Sequence, residues 1–108
     1  MKTTVNRALK LIDGGALNGV SVADFAERLG VGERHLRRLF SEYVGASPSS
    51  VARARRVLNA KRLITDTEQS MTEIAHTAGF TSVRQFNDTF RRLYNRSPSE
   101  LRKSRSRK

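Results

Sequence analysis

Two stretches of this 108-residue chain carry polar side chains spaced to reach outward from a helix. Arg34, Arg37 and Arg38 lie in the first, and Val83, Arg84, Asn87 and Asp88 lie about fifty residues later in the second. An arginine fork can donate two hydrogen bonds to O6 and N7 of guanine, asparagine can pair similarly with adenine, and a valine methyl can meet a thymine methyl. On the N-terminal half of an exposed helix, these groups suit contact with base edges in the DNA major groove. His35, Arg55, Arg62, Thr81, Ser82, Arg91 and Arg92 fall where phosphate contacts would lie, beside the backbone N–H groups that open both helices. Arginines at helical spacing also read as an ordinary solvated face. Asp88 stands four residues after Arg84 and four before Arg92, so an intrahelical ion pair competes with a cytosine contact.

Catalysis finds little support in the same residues. The two histidines, His35 and His76, are 41 positions apart, there is no cysteine, and no carboxylate cluster has ligand spacing. We therefore expect no metal, no cofactor and no enzyme activity. Ser70 and Ser97 sit where helices need caps, and no phosphate-binding glycine loop occurs.

The elements that position these faces occur twice. In SMTEIAHTAGFTSVRQFNDTFRRLYNRSP (Ser70 to Pro98), Met71, Ile74, Ala75 and Ala78 form one apolar stripe. Ser70 with Glu73 makes a capping box, and Gly79 ends the helix. The next helix starts at Thr81 or Ser82 and is expected to bury Val83, Phe86, Phe90 and Leu93, with Arg84, Gln85, Asn87, Asp88 and Arg91 outside. The stretch SVADFAERLGVGERHLRRLFSEYVGASP (Ser21 to Pro48) aligns with it at an offset of 49, rising to 50 beyond the turn. There the helices are expected over Val22 to Leu29 and about Glu33 to Val44, with Leu36, Leu39, Phe40 and Tyr43 inward and Val31 stapled to Leu36.

A first helix is expected from a cap at Thr3 or Thr4, with Val5, Ala8, Leu9 and Ile12 buried and Gly14-Gly15 as its end. Ser47-Pro48 opens a fourth, where Val51, Ala54, Val57, Leu58, Ala60, Leu63 and Ile64 cover over half the circumference, as suits a connector buried on two sides. Ser97, Pro98 and Glu100 start a brief seventh helix ending near Arg102. The expected fold is all-α: two helix-turn-helix lobes joined by a long connector helix, about seven helices in total. The lobes span 1–48 and 67–102, the connector 49–66, and a basic disordered tail 103–108.

The net charge is +11. Setting aside five cations from Arg102 onward leaves 16 basic residues against 10 acidic ones. This balance favours a polyanionic partner, with double-stranded DNA ahead of a membrane surface. No apolar run is long enough to span a bilayer and nothing resembles a signal peptide, so a cytoplasmic setting is expected.

The chain resembles the DNA-binding domain of AraC/XylS-type bacterial transcription regulators from about Val5 to Leu101. The likeness rests on LGVGERHLRRLF (Leu29 to Phe40), GASP (Gly45 to Pro48), RVLNAKRLI (Arg56 to Ile64) and IAHTAGFTSVRQFNDTFRRLYNRSPSELR (Ile74 to Arg102). The last carries the family signature through Ala75, Gly79, Phe80, Phe86, Phe90 and Ser97-Pro98. The resemblance implies two helix-turn-helix lobes on a long helix, with Arg34, Arg37, Arg38, Arg84, Asn87 and Asp88 facing DNA. Asp88 departs from the basic residue often found there. The wording GFTSVRQFNDTFRR is especially similar to Ada-type adaptive-response proteins and their fusions to 3-methyladenine DNA glycosylase. The expected function is sequence-specific DNA binding for transcription regulation. The alternative is the DNA-targeting module of an alkylation-repair enzyme whose catalytic domains lie outside this chain. Further expected partners are RNA polymerase and the effector or repair domain of a parent protein. A non-specific basic nucleic-acid or membrane-surface binder is the third possibility.

Overall fold

The computed structural model describes residues 2–105, in which every regular element is helical. The order is α1 (Lys2–Asp13), α2 (Val22–Leu29), α3 (Glu33–Tyr43), α4 (Pro48–Asp66), α5 (Met71–Ala78), α6 (Val83–Tyr94) and α7 (Pro98–Arg105). Two compact units divide between Arg55 and Arg56, inside α4. That boundary assigns residues 49–55 of this long helix to the first unit and 56–66 to the second.

The duplication is deeper than the helix-turn-helix pair. Val5, Ala8 and Ile12 of α1 are buried, and so are Val57, Ala60 and Ile64 of α4, each 52 residues later. Each unit is therefore four helical segments: α1, α2, α3 and the start of α4, then the end of α4, α5, α6 and α7. In the first, Phe25, Leu36 and Phe40 are fully buried among Ala8, Ile12 and Ala52. In the second, Ile74, Phe86 and Phe90 are fully buried among Val57, Ala60 and Ile64.

The turns match in backbone as well as in sequence. Ser21 and Ser70 hold extended conformations and accept from the N–H of Asp24 and Glu73. Gly30 (φ 80°) and Gly79 (φ 97°) end α2 and α5 in the left-handed region, which costs a residue with a Cβ roughly 1–2 kcal/mol. Their N–H groups return to Ala26 and Glu27, and to Ala75 and His76, so the chain turns with its donors satisfied.

Several expectations change. Thr3 and Thr4 lie within α1, which already includes Lys2, so neither caps it. Tyr43 and Leu93, expected inside, are 49% and 56% exposed. Both sit one residue before the position that continues the buried i, i+4 line, Leu36–Phe40–Val44 and Phe86–Phe90–Tyr94, and it is Val44 and Tyr94 that pack on the two cores. On α4, Leu58 and Ala54 are exposed, whereas Ala52 is buried in the first core and Val57, Ala60 and Ile64 in the second.

The seventh helix runs to Arg105, past the expected end near Arg102, so 103–105 are helical. Ser97 and Glu100 form a complete capping box at its start, and Arg96 donates to Ser104 Oγ on its last turn. The rest of the expected tail, 106–108, lies outside the described residues. Arg102, counted with the tail cations, turns inward and donates to the carbonyls of Leu63, Ile64, Thr67 and Gln69. It thus adds donors to two carbonyls in the last turn of α4 and two in the loop that follows, where the helix dipole favours a cation; the Leu63 carbonyl also accepts from the Thr67 N–H and hydroxyl. At the matching place in the first unit stands Ala52, buried in the apolar core.

Candidate nucleic-acid interface

In the second unit a ladder of rings fixes the inner side of α6. Phe80 and Phe86 are 5.0 Å apart between centroids, Phe86 and Phe90 5.1 Å edge to face, and Phe90 and Tyr94 5.4 Å. Such pairs add about 0.5–1.5 kcal/mol each beyond burial. With that side seated, the outer side of α6 points in a fixed direction. Arg84 is 92% exposed and Asp88 70%, and their charged atoms are 4.0 Å apart, so the pair leaves Arg84 projecting. Arg91 and Arg92 are exposed, and so is Arg62 on α4. Asn87 is half-buried. Val83 is half-buried too, resting on the second core, so its role is partly packing.

The start of α6 is closed by its own side chains. Ser82 Oγ accepts from Gln85 N–H at 3.0 Å. Gln85 Oε1 in turn accepts from Thr81 N–H at 2.8 Å and from the Thr81 hydroxyl at 2.9 Å. The donors of Thr81, expected to meet phosphate, are thus already used within the protein. Sequence reading placed Gln85 on the outer face and missed this lock. Its signal was a glutamine at the third helical position after a serine cap, the place Glu73 and Glu100 hold in α5 and α7.

In the first unit α3 is held from inside by Leu36, Leu39 and Phe40, and Val31 and Leu36 pack in one core as a staple across its start. Gly32 caps this helix without a side-chain hydrogen bond. Its first-turn N–H groups therefore have less competition for a phosphate than those of α6. Arg34, Arg37 and Arg38 are all exposed. Arg37 pairs with Glu33 at 2.8 Å, and Arg38 lies 3.2 Å from Nδ1 of the half-buried His35. Arg55 pairs with Asp13 at 3.0 Å, tying the middle of α4 to the end of α1. The structure thus brings Arg34, His35, Arg37 and Arg38 together on one unit, and Thr81 to Asp88 on the other.

Among the described residues, no group of three or more His, Asp or Glu could hold a metal ion, and no helix is long and apolar enough to cross a membrane. Ionisable groups with a displaced pKa are structural. The Ser70 backbone N–H, then its hydroxyl, holds Glu73 below the ordinary glutamate range, and Ser97 does the same for Glu100.

A family model described as a helix-turn-helix domain matches residues 25–104. The probable bifunctional transcriptional activator/DNA repair enzyme AlkA of Mycobacterium tuberculosis is 42% identical over 98 residues, which are 91% of this chain and 20% of that protein. The chain therefore spans about a fifth of that relative's length. A transcriptional regulator from Chromobacterium violaceum with an AraC-type DNA-binding domain superimposes with a TM-score of 0.80 at 32% identity, covering 97% of this chain and 94% of that one. The DNA-binding domain of the global transcriptional factor AdpA, solved with a target DNA, gives 0.81 at 29% identity over 99% and 94%.

Proposed function

Since the chain belongs to the AraC-type helix-turn-helix family of DNA-binding domains, we propose that it reads a specific double-stranded DNA site in transcription regulation. In this reading α3 and α6 enter successive major-groove segments, about one DNA turn or roughly 34 Å apart. Arg34, Arg37 and Arg38, then Arg84, Asn87 and Asp88, face base edges, with Val83 at the margin. His35, Ser82, Arg62, Arg91, Arg92 and the first-turn N–H groups of α3 lie against phosphates, and Arg55 adds positive charge nearby. The carrying observation is the duplication itself: two units with matching turns each hold an arginine-bearing helix by its inner side and leave its outer side in solvent.

Selection from a random duplex pool tests this. The expected result is an enriched asymmetric site with two conserved segments about one turn apart; equal binding to all duplexes would overturn it. Arg38→Ala should then cost roughly 1–3 kcal/mol on the selected site if that arginine meets a guanine. A similar loss on random DNA with a shallower salt slope would assign it to phosphate instead.

The likeness to the bifunctional AlkA protein supports a second reading. Here the same recognition places or regulates alkylation-repair domains of a longer protein, and this chain supplies binding and no catalysis. The flanking coding sequence separates the two: a cysteine-rich zinc segment or a glycosylase favours repair, and a ligand-binding barrel favours a small-molecule sensor. RNA polymerase and those effector or repair domains are the further partners proposed, in the cytoplasm.

A further inference from the structure

We propose that Gln85 is a specificity-determining residue that presents only hydrogen-bond donors to DNA, and that Thr81 is the residue positioning it. The assignment rests on the DNA-reading role of α6 proposed above.

A glutamine amide ordinarily offers one acceptor and two donors, and so can pair with adenine through N6–H and N7 together. Here the acceptor is occupied. A backbone N–H can only donate, so the atom 2.8 Å from Thr81 N must be the amide oxygen, which also takes the Thr81 hydroxyl at 2.9 Å. Both lone pairs are then used. The NH2 group, with no partner among the described residues, is left on an exposed side chain in the first turn of the outward helix. The bond from Gln85 N–H to Ser82 Oγ fixes the backbone beneath it.

The same chain shows what a cap alone requires. At the third position of α5 and of α7 stand Glu73 and Glu100, which accept from Ser70 N–H and Ser97 N–H at 2.9 Å each. A carboxylate closes those helices; at α6 an amide closes the helix and retains two N–H groups to spare. In the major groove guanine alone offers two adjacent acceptors, N7 and O6, whereas adenine sets a donor beside N7 and cytosine shows only a donor. Gln85 therefore selects guanine at the base pair it faces.

The test compares base preferences of the full chain and its variants by duplex-pool selection, with affinities for the four base pairs at each position and a thermal melt of every variant. Unaltered protein should prefer guanine at one position, roughly fivefold to a hundredfold over adenine. Gln85→Ala should abolish that preference at that position only. Thr81→Val removes one donor, frees a lone pair and should admit adenine, while Thr81→Ser should keep guanine. Gln85→Glu should retain the cap and turn the preference toward cytosine. A structured site whose preferences ignore Gln85→Ala overturns this assignment alone, making Gln85 a cap; Gln85→Glu weakening all sequences equally does the same, making it a matter of charge. A pool that stays flat with unaltered protein overturns sequence reading by α6, and this assignment with it.

Discussion

Arg37 and Arg38 leave the same turn of α3 and meet different neighbours, so they should respond differently to change. Arg37 is bound to Glu33, and both side chains are nearly half exposed. A solvated pair of this kind contributes about 0–1 kcal/mol. Glu33→Gln should therefore leave folding almost unaltered and, by releasing Arg37 and removing a negative charge, tighten binding to every duplex, with less gain at high salt. Fluorescence anisotropy across a salt series measures this; loss confined to the selected site would mean that Glu33 holds Arg37 in its reading pose. The capping glutamates give a second residue-scale expectation. The folded values of Glu73 and Glu100 lie below the ordinary 4.5, so their stabilisation is complete above that pH and is lost as pH falls through the lowered values. Glu73→Gln with Glu100→Gln should flatten the acid limb of a melting-temperature profile. An unaltered limb would place acid sensitivity elsewhere.

At the scale of the element, each helix end is closed by a device that fits its setting. Gly45 (φ 80°) follows α3 and Asn95 (φ 58°) follows α6, fifty residues apart and both left-handed, glycine serving in one copy and asparagine in the other. Arg102 does comparable work for α4 from a different helix. Replacing it with methionine keeps the aliphatic stem but strips donors from four part-buried carbonyls, and should cost about 1–3 kcal/mol. Urea unfolding monitored at Tyr94 reads the second unit; a loss below about 0.5 kcal/mol would mean that water serves those carbonyls equally well. This element was hidden in the sequence because Arg102 begins a run of tail cations and looks solvated. Its pairing partners lie 33 to 39 residues away, beyond the reach of any helical period.

For the whole molecule, the proposed two-headed reading makes α4 more than a link, because both units are built on it. One alanine inserted between Arg55 and Arg56 should rotate one half of the helix against the other by about 100° while leaving each core intact. Affinity for the selected site should fall toward that for random DNA, with the melt little changed. Specific binding that survives the insertion would mean that a single unit reads the site alone. The net charge of +11 should keep the residual binding strongly salt-dependent.

The sequence by itself determined the helices, the two serine-to-glycine turns, the 49- and 50-residue repeat and the arginine-bearing faces. Each is a local matter of caps, left-handed residues and a 3.6-residue period, legible within one or two turns of chain. Tertiary structure decided what those patterns leave open. Periodicity says which way a side chain points and not what lies there, so Tyr43, Leu93 and Leu58 proved exposed. The 52-residue echo of α1 in α4 emerged once both were seen buried in equivalent cores. Arg102 found its acceptors across the unit, and the Gln85 amide acquired a fixed orientation, because hydrogen bonds join groups by distance in space, which order along the chain does not supply.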